Sequence, residues 1–321
     1  MASDVTPALA QCEEQRDSTF ASAEYEEYER EFARYTQDNL RTAAAEIDFA
    51  EEFLDDEMAL RVKIQTLADW WREARRVVVY TGAGISTAAG LPDYRGPQGV
   101  WTKKLRGETA DESMEAFNGA LEPTGAHRAI MRLHNAGRVT ALLTTNVDGL
   151  HLASGVPQEV LCELHGNAFV EECRSCGARF ERDFVTRTST GLFDHGTGRS
   201  CDRCGGALYD NIVNFGNTFE HVPTMEAAHD RAWVECLKAD LCVVLGSSLS
   251  VQTACDLPEV CLPRREDKAA GGRLVIVNRQ RTPKDELASL RIFATCDDVM
   301  AGVETELFES LRSSSGSADA P

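Results

Sequence analysis

The sequence predicts an α/β fold in which a doubly wound parallel sheet carries a second, smaller domain as an insertion. Four short apolar runs have the length and composition of buried strands, and helical stretches lie between them. Strands that alternate with helices favour a parallel sheet with helices on both faces. Two cysteine pairs interrupt this alternation, so we place the inserted domain around them. The four runs are residues 77–80, 139–143, 241–245 and 274–277.

The helices follow from apolar residues at helical spacing. A helix over residues 59–75 is predicted to dock on the sheet through one apolar face. Further helices are predicted over residues 125–136 and 225–239. The docking residues of the first helix are Leu60, Ile64, Leu67 and Trp71.

The N-terminal part of the chain is strongly acidic. Residues 1–63 hold 17 Asp or Glu against 6 Lys or Arg. Their net charge of −11 is more than half of the net charge of −19 of the whole chain. This charge argues against binding nucleic-acid phosphates by simple electrostatics. Solvated helix faces explain it, and so does an attraction for a basic protein tail. We expect residues 1–22 to be unstructured and the residues after them to form surface helices.

Composition predicts the domain boundaries of the chain and the kind of cellular compartment in which it occurs. We place an acidic extension at residues 1–58, a main domain at 59–312 with the inserted module at about 168–210, and a disordered Ser-rich tail at 313–321. Eleven Cys without a secretory leader favour a reducing compartment. No apolar run approaches the roughly 20 residues that span a bilayer, so we expect a soluble protein that does not bind membranes.

The cysteine pairs indicate a metal site. They are Cys173-x-x-Cys176 and Cys201-x-x-Cys204, separated by residues 177–200. Two such knuckles can place four sulfurs around one Zn²⁺ ion, and an iron–sulfur cluster accepts the same four ligands. A closed tetrahedral zinc site is favoured, and its role would be structural because no ligand position stays open. Three glycines follow the pairs and suit turns with positive φ, namely Gly177, Gly205 and Gly206.

A glycine-containing loop follows the first predicted strand. Gly82 and Gly84 allow a tight turn and a close approach to a pyrophosphate, although glycines also occur in such turns for geometry alone. The third glycine of the dinucleotide fingerprint is replaced by Thr87, and the acidic residue expected about 20 residues later is missing. Residues 96–113 read as a long polar loop. The pattern favours a nucleotide bound in a non-standard way over an ordinary hydride-transfer enzyme.

Polar residues also follow the second predicted strand. Asn146 and Asp148 lie where ligand sites form in open α/β sheets, but a Thr or Asn here could equally cap a helix that begins near Asp148. His165, followed by Gly166, lies at the junction with the inserted module. Its unperturbed pKa near 6.5 suits a general base, while the alternative is a structural histidine. The other six histidines are interpreted as structural or solvent-facing.

Several short motifs follow one another in a specific order along the chain. They are Gly82-Ala83-Gly84-Ile85-Ser86, Pro92-Asp93-Tyr94-Arg95-Gly96, Asn146-Val147-Asp148-Gly149-Leu150-His151, His165-Gly166-Asn167, the two cysteine pairs, Phe215-Gly216, Gly246-Ser247-Ser248-Leu249 and Val275-Ile276-Val277-Asn278. This order resembles the sirtuins, NAD-dependent protein lysine deacylases, over about residues 64–311. Residues 100–101, 282–285 and 296–300 make the resemblance strongest to the nuclear class IV branch.

The resemblance implies a fold, a cofactor and a reaction. NAD would lie between a Rossmann-like domain and the zinc domain, and an acyl-lysine oxygen would attack its ribose C1′ and release nicotinamide. His165 would act as the base that activates a ribose hydroxyl, with Asn146 and Asp148 beside it, and the products would be free lysine and O-acyl-ADP-ribose. Residues 211–216 would pair with the substrate backbone. The implied cofactor contacts are Gly82, Ala83, Gly84, Ile85, Ser86, Asp93, Tyr94, Arg95, Trp101, Thr145, Asn146, Val147, Asp148, Gly246, Ser247, Ser248, Asn278 and Cys296.

Two positions depart from the family pattern. Thr145 replaces a Gln, which would weaken ribose contacts, and Asn217 replaces the Glu that commonly follows Phe-Gly. The alternatives are therefore a protein mono-ADP-ribosyltransferase and a weakly active NAD- or ADP-ribose-binding adaptor. By analogy with the class IV branch, histone tails are the expected substrates and the nucleus the expected location.

Overall fold

A six-stranded sheet forms the centre of the computed structural model. The structure describes residues 51–106, 121–188, 194–214, 217, 221–251, 253–263 and 271–315, all within one compact unit, Phe49–Pro321. The strands are β1 (Val77–Thr81), β2 (Ala141–Thr144), β3 (Leu161–Glu163), β8 (Leu241–Leu245), β9 (Arg273–Val277) and β10 (Leu290–Ile292). Their order is β10-β9-β8-β1-β2-β3, and every neighbouring pair is parallel.

Both faces of this sheet are covered, because its strands are apolar at consecutive positions. Val77 and Val79 of β1 face one core, whereas Val78 and Tyr80 face the other. The helices are α1 (Glu57–Glu73), α2 (Val100–Leu105), α3 (Gly125–Asn135), α4 (Leu150–Ala153), α5 (Pro223–Leu237) and α6 (Cys296–Ser315). The first core also contains residues of α1, α3 and α6, and the second contains residues of α5 and the 3₁₀ segment Ala254–Cys261. The predicted doubly wound sheet is thus confirmed.

Helix α1 illustrates how local signals and packing agree. Asp56 caps its first turn, since its Oδ1 accepts a hydrogen bond from the Ala59 amide at 2.8 Å. Leu67 and Trp71 are fully buried, as predicted, and the Trp71 indole donates to the Arg138 carbonyl at 2.8 Å. No helix in the described part of the chain is both long and apolar enough to span a bilayer.

The inserted module is a second, antiparallel sheet. Its strands are β4 (Val170–Cys173), β5 (Arg179–Glu181), β6 (Gly196–Ser200) and β7 (Ala207–Asp210), in the order β5-β4-β7-β6. Its apolar core is very small. It contains Cys173, Ala178, Cys201 and Leu208, with Phe180 packed against them.

Four expectations need correction. The strand predicted over 139–143 is Ala141–Thr144, because polar Thr144 still pairs with Thr81 and apolarity does not mark a strand's end. Helix α2 lies inside the predicted loop 96–113, where it is supported by the buried Val100, whose amide donates to the Asp93 carbonyl at 2.9 Å.

The other two corrections concern the tail and a glycine. Helix α6 continues to Ser315, beyond the predicted start of the tail at 313, since serine tolerates a last helical turn that carries no apolar signal. Gly177 and Gly205 have positive φ but Gly206 does not. A Cβ at Gly206 would lie 2.6 Å from the Ser175 hydroxyl, so close packing explains that glycine. The predictions for residues 1–50 and 316–321 lie outside the described residues.

Candidate active site and metal centre

Five loops with predicted site residues lie along one edge of the parallel sheet. Each follows the carboxyl end of a strand, and the strands β9, β8, β1, β2 and β3 are neighbours. Ligands in open α/β sheets bind at this edge. The loops begin at Asn278, Gly246, Gly82, Thr145 and Leu164, respectively.

The two glycine loops in the middle of this edge pack directly on each other. The Gly84 amide donates to the Gly246 carbonyl at 2.8 Å, and a Cβ at Gly84 would lie 2.7 Å from the Gly246 Cα. A Cβ at Gly82 would lie 2.8 Å from the Ser247 Cα. These glycines are therefore required by contact between two protein loops, a reason that the sequence did not reveal.

A buried polar cluster joins the loops after β1 and β2. The Ser86 hydroxyl donates to Asp148 Oδ2 at 2.7 Å, and the Asn146 amide donates to the Gly82 carbonyl at 3.1 Å and to Ser86 Oγ at 3.2 Å. Burial raises the pKa of Asp148, while hydrogen bonds from Ser86 and the Leu150 amide oppose that shift. Asp148 Oδ1 accepts the Leu150 amide at 2.9 Å, but the N-cap residue of α4 is Gly149, so neither a Thr nor an Asn caps this helix.

His165 lies beside this cluster. Burial lowers the pKa of His165 to about 4, with a further decrease from His229 and an opposing hydrogen bond to the Thr145 backbone. The imidazole is therefore neutral at pH 7, and it is a weaker base than an unperturbed histidine. The backbone of the same residue is fixed to the next segment, because the His165 carbonyl accepts the Val213 amide at 2.9 Å.

Arg95 supplies positive charge near the glycine loops. Its Nη1 donates to the Ser248 hydroxyl at 3.2 Å, and no carboxylate of the described residues forms an ion pair with it. Burial lowers its pKa, yet an arginine stays charged in proteins. A half-buried cation without a carboxylate partner among the described residues is suited to bind an anion.

The other predicted site residues lie in differing surroundings. Asp93 turns back on its own loop, where its Oδ1 accepts the Gly96 amide at 2.9 Å, and burial raises its pKa. The Asn278 amide donates to the Gln280 carbonyl at 3.0 Å.

Cys296 is buried in the apolar core at the start of α6. Tyr94 is exposed, and the side chain of Trp101 lies outside the described residues. The predicted contacts Ala83, Ile85 and Val147 belong to the same loops as Gly82 and Asn146.

The four predicted metal ligands converge. The ligand sulfurs of Cys173, Cys176, Cys201 and Cys204 all lie within 4.8 Å of one another. Two of the Sγ···Sγ distances are 3.4 Å, between Cys173 and Cys204, and 3.7 Å, between Cys176 and Cys201. Four sulfurs placed tetrahedrally about 2.3 Å from one zinc ion would lie about 3.8 Å apart. The thiols therefore fit a single structural Zn²⁺ ion.

Comparison with known proteins identifies the family. The Sir2 family profile matches residues 110–253. The NAD-dependent protein deacetylase Sirt6 of Drosophila melanogaster is 36% identical over 264 residues, which cover 79% of this chain and 78% of that protein. This chain belongs to the Sir2 family.

Further similarities place the chain within the Sir2 family. The NAD-dependent protein deacetylase sirtuin-7 of Homo sapiens is 44% identical over 264 residues, which cover 80% of this chain and 63% of the human protein. The chain thus spans less than two thirds of that relative's length. A solved Sir2 structure with a p53 peptide and NAD⁺ matches with a TM-score of 0.55 and 29% identity, over 76% of this chain and 98% of that one. The sequence-based resemblance to the sirtuins, including a class IV member, is confirmed.

In this Sir2 family member, the inserted module of strands β4 to β7, called the zinc module below, holds charged side chains in its interior. Glu171 is fully buried, and its two oxygens accept hydrogen bonds from Arg182 Nε and Arg199 Nε, each at 2.7 Å. Burial alone would raise the pKa of Glu171, but the bonds from Arg199 and Arg182 outweigh it and lower the pKa. Nearby, the buried His195 and Asp210 are hydrogen bonded at 3.0 Å. Sequence reasoning missed this network because its members are far apart along the chain.

Sequence reasoning also missed a histidine pair beneath the site of this Sir2 family member. His151 Nε2 lies 2.8 Å from the Thr81 hydroxyl at the end of β1, and the rings of His151 and His127 have centroids 4.6 Å apart. Both are fully buried, so they are structural residues that support the strand end next to Gly82. In the sequence, His151 stands out only as the last residue of the motif that begins at Asn146, and nothing there indicates that it pairs with His127.

Proposed function

We propose that this chain is an NAD-dependent protein lysine deacylase that converts NAD, an acyl-lysine and water into nicotinamide, O-acyl-ADP-ribose and free lysine. The observation that carries the proposal is the row of five loops at the carboxyl ends of five adjacent strands, with His165 at one end of the row and Asn278 towards the other. Membership of the Sir2 family and relatives described as NAD-dependent protein deacetylases support it.

The polar and charged groups along this edge of the sheet suggest which loop would contact each part of NAD. The loop from Gly82 to Ser86 and the guanidinium of Arg95 suit the pyrophosphate, because backbone amides and a partly buried cation both stabilise phosphate oxygens. Asn146 and Asp148, on the loop after β2, would hold the nicotinamide end next to His165, on the loop after the neighbouring strand β3. The adenosine half would contact Gly246, Ser247, Ser248, Asn278 and Cys296, and the remaining proposed contacts are Ala83, Ile85, Asp93, Tyr94, Trp101, Thr145 and Val147.

His165 is proposed as the general base. Its lowered pKa keeps the ring neutral at physiological pH, and the hydrogen bond to the Thr145 backbone leaves one nitrogen available to remove a proton from a ribose hydroxyl. Asp148 lies in the same buried site, where an ionised carboxylate would stabilise positive charge that develops on the sugar. NAD supplies the glycosidic bond that is cleaved.

The substrate is proposed to be an acyl-lysine on a basic protein segment such as a histone tail. The net charge of −19 favours a basic partner, and nuclear location is proposed from the likeness to sirtuin-7. Backbone groups of residues 211–216 would pair with the substrate chain. Zn²⁺ on the four thiolates would hold the module at about 168–210 and take no part in the chemistry. We keep the division into residues 1–58, 59–312 and 313–321 as part of this proposal.

The test measures products. Purified protein is incubated with NAD and acetyl- or myristoyl-lysine histone peptides, and nicotinamide and O-acyl-ADP-ribose are followed by mass spectrometry. We expect both products from the parent protein and from His134→Ala, which removes a half-buried histidine whose Nδ1 is hydrogen bonded to the Val139 carbonyl at 3.1 Å. His165→Ala should bind NAD but form no O-acyl-ADP-ribose.

Other outcomes would favour the alternatives. Nicotinamide release with ADP-ribose attached to protein would favour a mono-ADP-ribosyltransferase. Saturable NAD binding without nicotinamide release would favour an NAD-binding adaptor and overturn the deacylase proposal.

A further inference from the structure

Residues 52–55, here called the N-terminal strap, are bound to the loop that follows β9 and to Phe293, the residue after β10. The Phe53 amide donates to the Arg279 carbonyl at 2.9 Å, and the Asp55 amide donates to the Phe293 carbonyl at 2.8 Å. Asp55 Oδ2 accepts the Phe293 amide at 2.9 Å. These main-chain bonds attach a segment from before helix α1 to the edge of the parallel sheet that carries Asn278.

Side-chain contacts also join the strap to residues 279–281 of the loop after β9. Glu52 Oε2 lies 3.1 Å from Arg279 Nη1, and Glu52 Oε1 accepts a hydrogen bond from Gln280 Nε2 at 2.9 Å. The Arg281 guanidinium lies over the Phe53 ring, 4.9 Å from its centroid. Three consecutive loop residues are therefore held by two strap residues, and Glu52 alone holds two of them.

The loop that the strap holds begins with a proposed cofactor residue. Asn278 directly precedes Arg279, and its side-chain amide donates to the Gln280 carbonyl at 3.0 Å. The orientation of Asn278 therefore depends on where residue 280 lies. Arg279 is also near two other proposed contacts, since its charge lowers the pKa values of Asp93 and Cys296 against the dominant effect of their burial, which raises both.

We propose that Glu52 is a positioning residue for NAD, which fixes residues 278–281 in the conformation that receives the adenosine half of the cofactor. This inference rests on the proposed function, because it takes Asn278 as a contact of the adenosine half. Ordering a loop costs conformational entropy, and a loop that is already fixed in the free protein does not lose that entropy on binding.

The experiment compares Glu52→Gln with Glu51→Gln, which removes the same charge from an exposed neighbour. Affinities for NAD and ADP-ribose are measured by calorimetry, and KM and kcat are measured with an acetyl-lysine peptide. We expect Glu52→Gln to weaken both affinities and raise the KM for NAD about three- to tenfold, as for a partly buried ion pair with a second hydrogen bond. The KM for peptide and kcat at saturating NAD should be unchanged, as should all values for Glu51→Gln.

A charge exchange tests whether the Glu52–Arg279 contact is responsible. Arg279→Glu alone should weaken NAD binding, and combining it with Glu52→Arg should restore part of the affinity. A direct readout is hydrogen exchange of the Phe53 and Asp55 amides, which should slow when ADP-ribose binds, whereas a strap that only stabilises the fold would show no response.

The outcomes separate this inference from the proposed function. Equal NAD and ADP-ribose affinities in the parent and Glu52→Gln, with equal melting temperatures, would overturn the inference and leave the deacylase proposal intact. If the parent protein binds neither NAD nor ADP-ribose, the proposed function fails first. Should Glu52→Gln prove unstable, Gln280→Ala removes one of the two contacts of the Glu52 side chain, and unaltered NAD affinity in that variant would also contradict the proposal.

Discussion

The parallel sheet and the zinc module are stabilised by different physical means. Strand β1 of the parallel sheet is buried along its whole length, with apolar residues at four of five positions and two extensive cores on its faces. The module has one small core of four buried residues. It depends instead on four convergent thiols and on Glu171 between two arginines. Hydrophobic burial therefore holds one region, whereas metal coordination and ion pairs hold the other.

This difference determines how the two regions should respond to change. Apolar packing is non-directional and tolerates small losses, whereas a metal site or a buried ion pair fails when one partner is removed. Four perturbations test the contrast.

Loss of zinc should have the largest effect. Chelation or Cys204→Ala is expected to unfold residues of about 168–210 while the parallel sheet persists, because structural zinc contributes roughly 10–16 kcal/mol in small zinc-binding peptides. Hydrogen exchange by mass spectrometry, with zinc content measured in parallel, would locate the loss. Cys261→Ala, at a buried thiol outside the metal site, should retain zinc. Exchange that rises equally in both regions would contradict the contrast.

Removing the charge of Glu171 should have the next largest effect. Glu171→Gln leaves Arg182 and Arg199 without their buried partner, which we expect to lower the stability of the module by about 3–5 kcal/mol. Glu181→Gln, at an exposed position on β5 of the same sheet, is the matched control. Denaturant unfolding of both variants with zinc present would show the difference, and similar midpoints would argue against an ionic core.

Acid should destabilise the parallel-sheet region through its histidine pair. Burial lowers the pKa of His127 to about 3 and that of His151 well below its usual value, with smaller contributions from Arg128 to His127 and from His127 to His151. The unfolded chain binds protons below pH 6.5 that the folded chain does not, so this stability is present above pH 6.5 and is lost as the pH falls toward 3. From pH 7 to pH 5 the two groups together cost roughly 4 kcal/mol.

A single substitution would sharpen this test. His127→Phe should remove about 2 kcal/mol of the loss of stability between pH 7 and pH 5, as followed by thermal unfolding across that range. His134→Phe is the control, and an unaltered pH dependence in His127→Phe would show that other groups cause the acid effect.

The smallest effect is expected at Thr145. Its hydroxyl makes one long hydrogen bond, at 3.3 Å to the Thr81 carbonyl, so Thr145→Gln should change stability by no more than about 0.5 kcal/mol. If the shorter side chain limits contact with the ribose, turnover should rise a few-fold. Steady-state rates of nicotinamide release would measure this, and a fall in rate would show that the site has adapted to threonine.

The sequence allowed good prediction where the signal is local. Apolar runs located β1, β8 and β9 nearly to the residue, and cysteine spacing identified the four metal ligands. The loops at the strand ends followed from the motifs, because parallel strands bring their carboxyl ends to one edge. His165 was singled out by its neighbour Gly166, but its lowered pKa depends on burial and on His229, which no local pattern reveals.

Prediction failed where distant residues meet. The bonds of Glu171 to Arg182 and Arg199, and those of Glu52 to Arg279 and Gln280, join segments up to 228 residues apart, and charged residues in a sequence read equally well as solvated. Helix α2 was missed because one turn and a half of helix carries too few apolar positions to show periodicity.

The spacing of the five loops along the sheet also sets the length of a ligand that can contact all of them. Neighbouring strands lie about 4.8 Å apart, so the loops after β3 and β9 are separated by four spacings, or about 19 Å. A ligand that reaches both ends must be elongated, and its two halves meet different loops. Short fragments that mimic one half would therefore occupy separate stretches of the edge, and two such fragments could bind the same molecule at once.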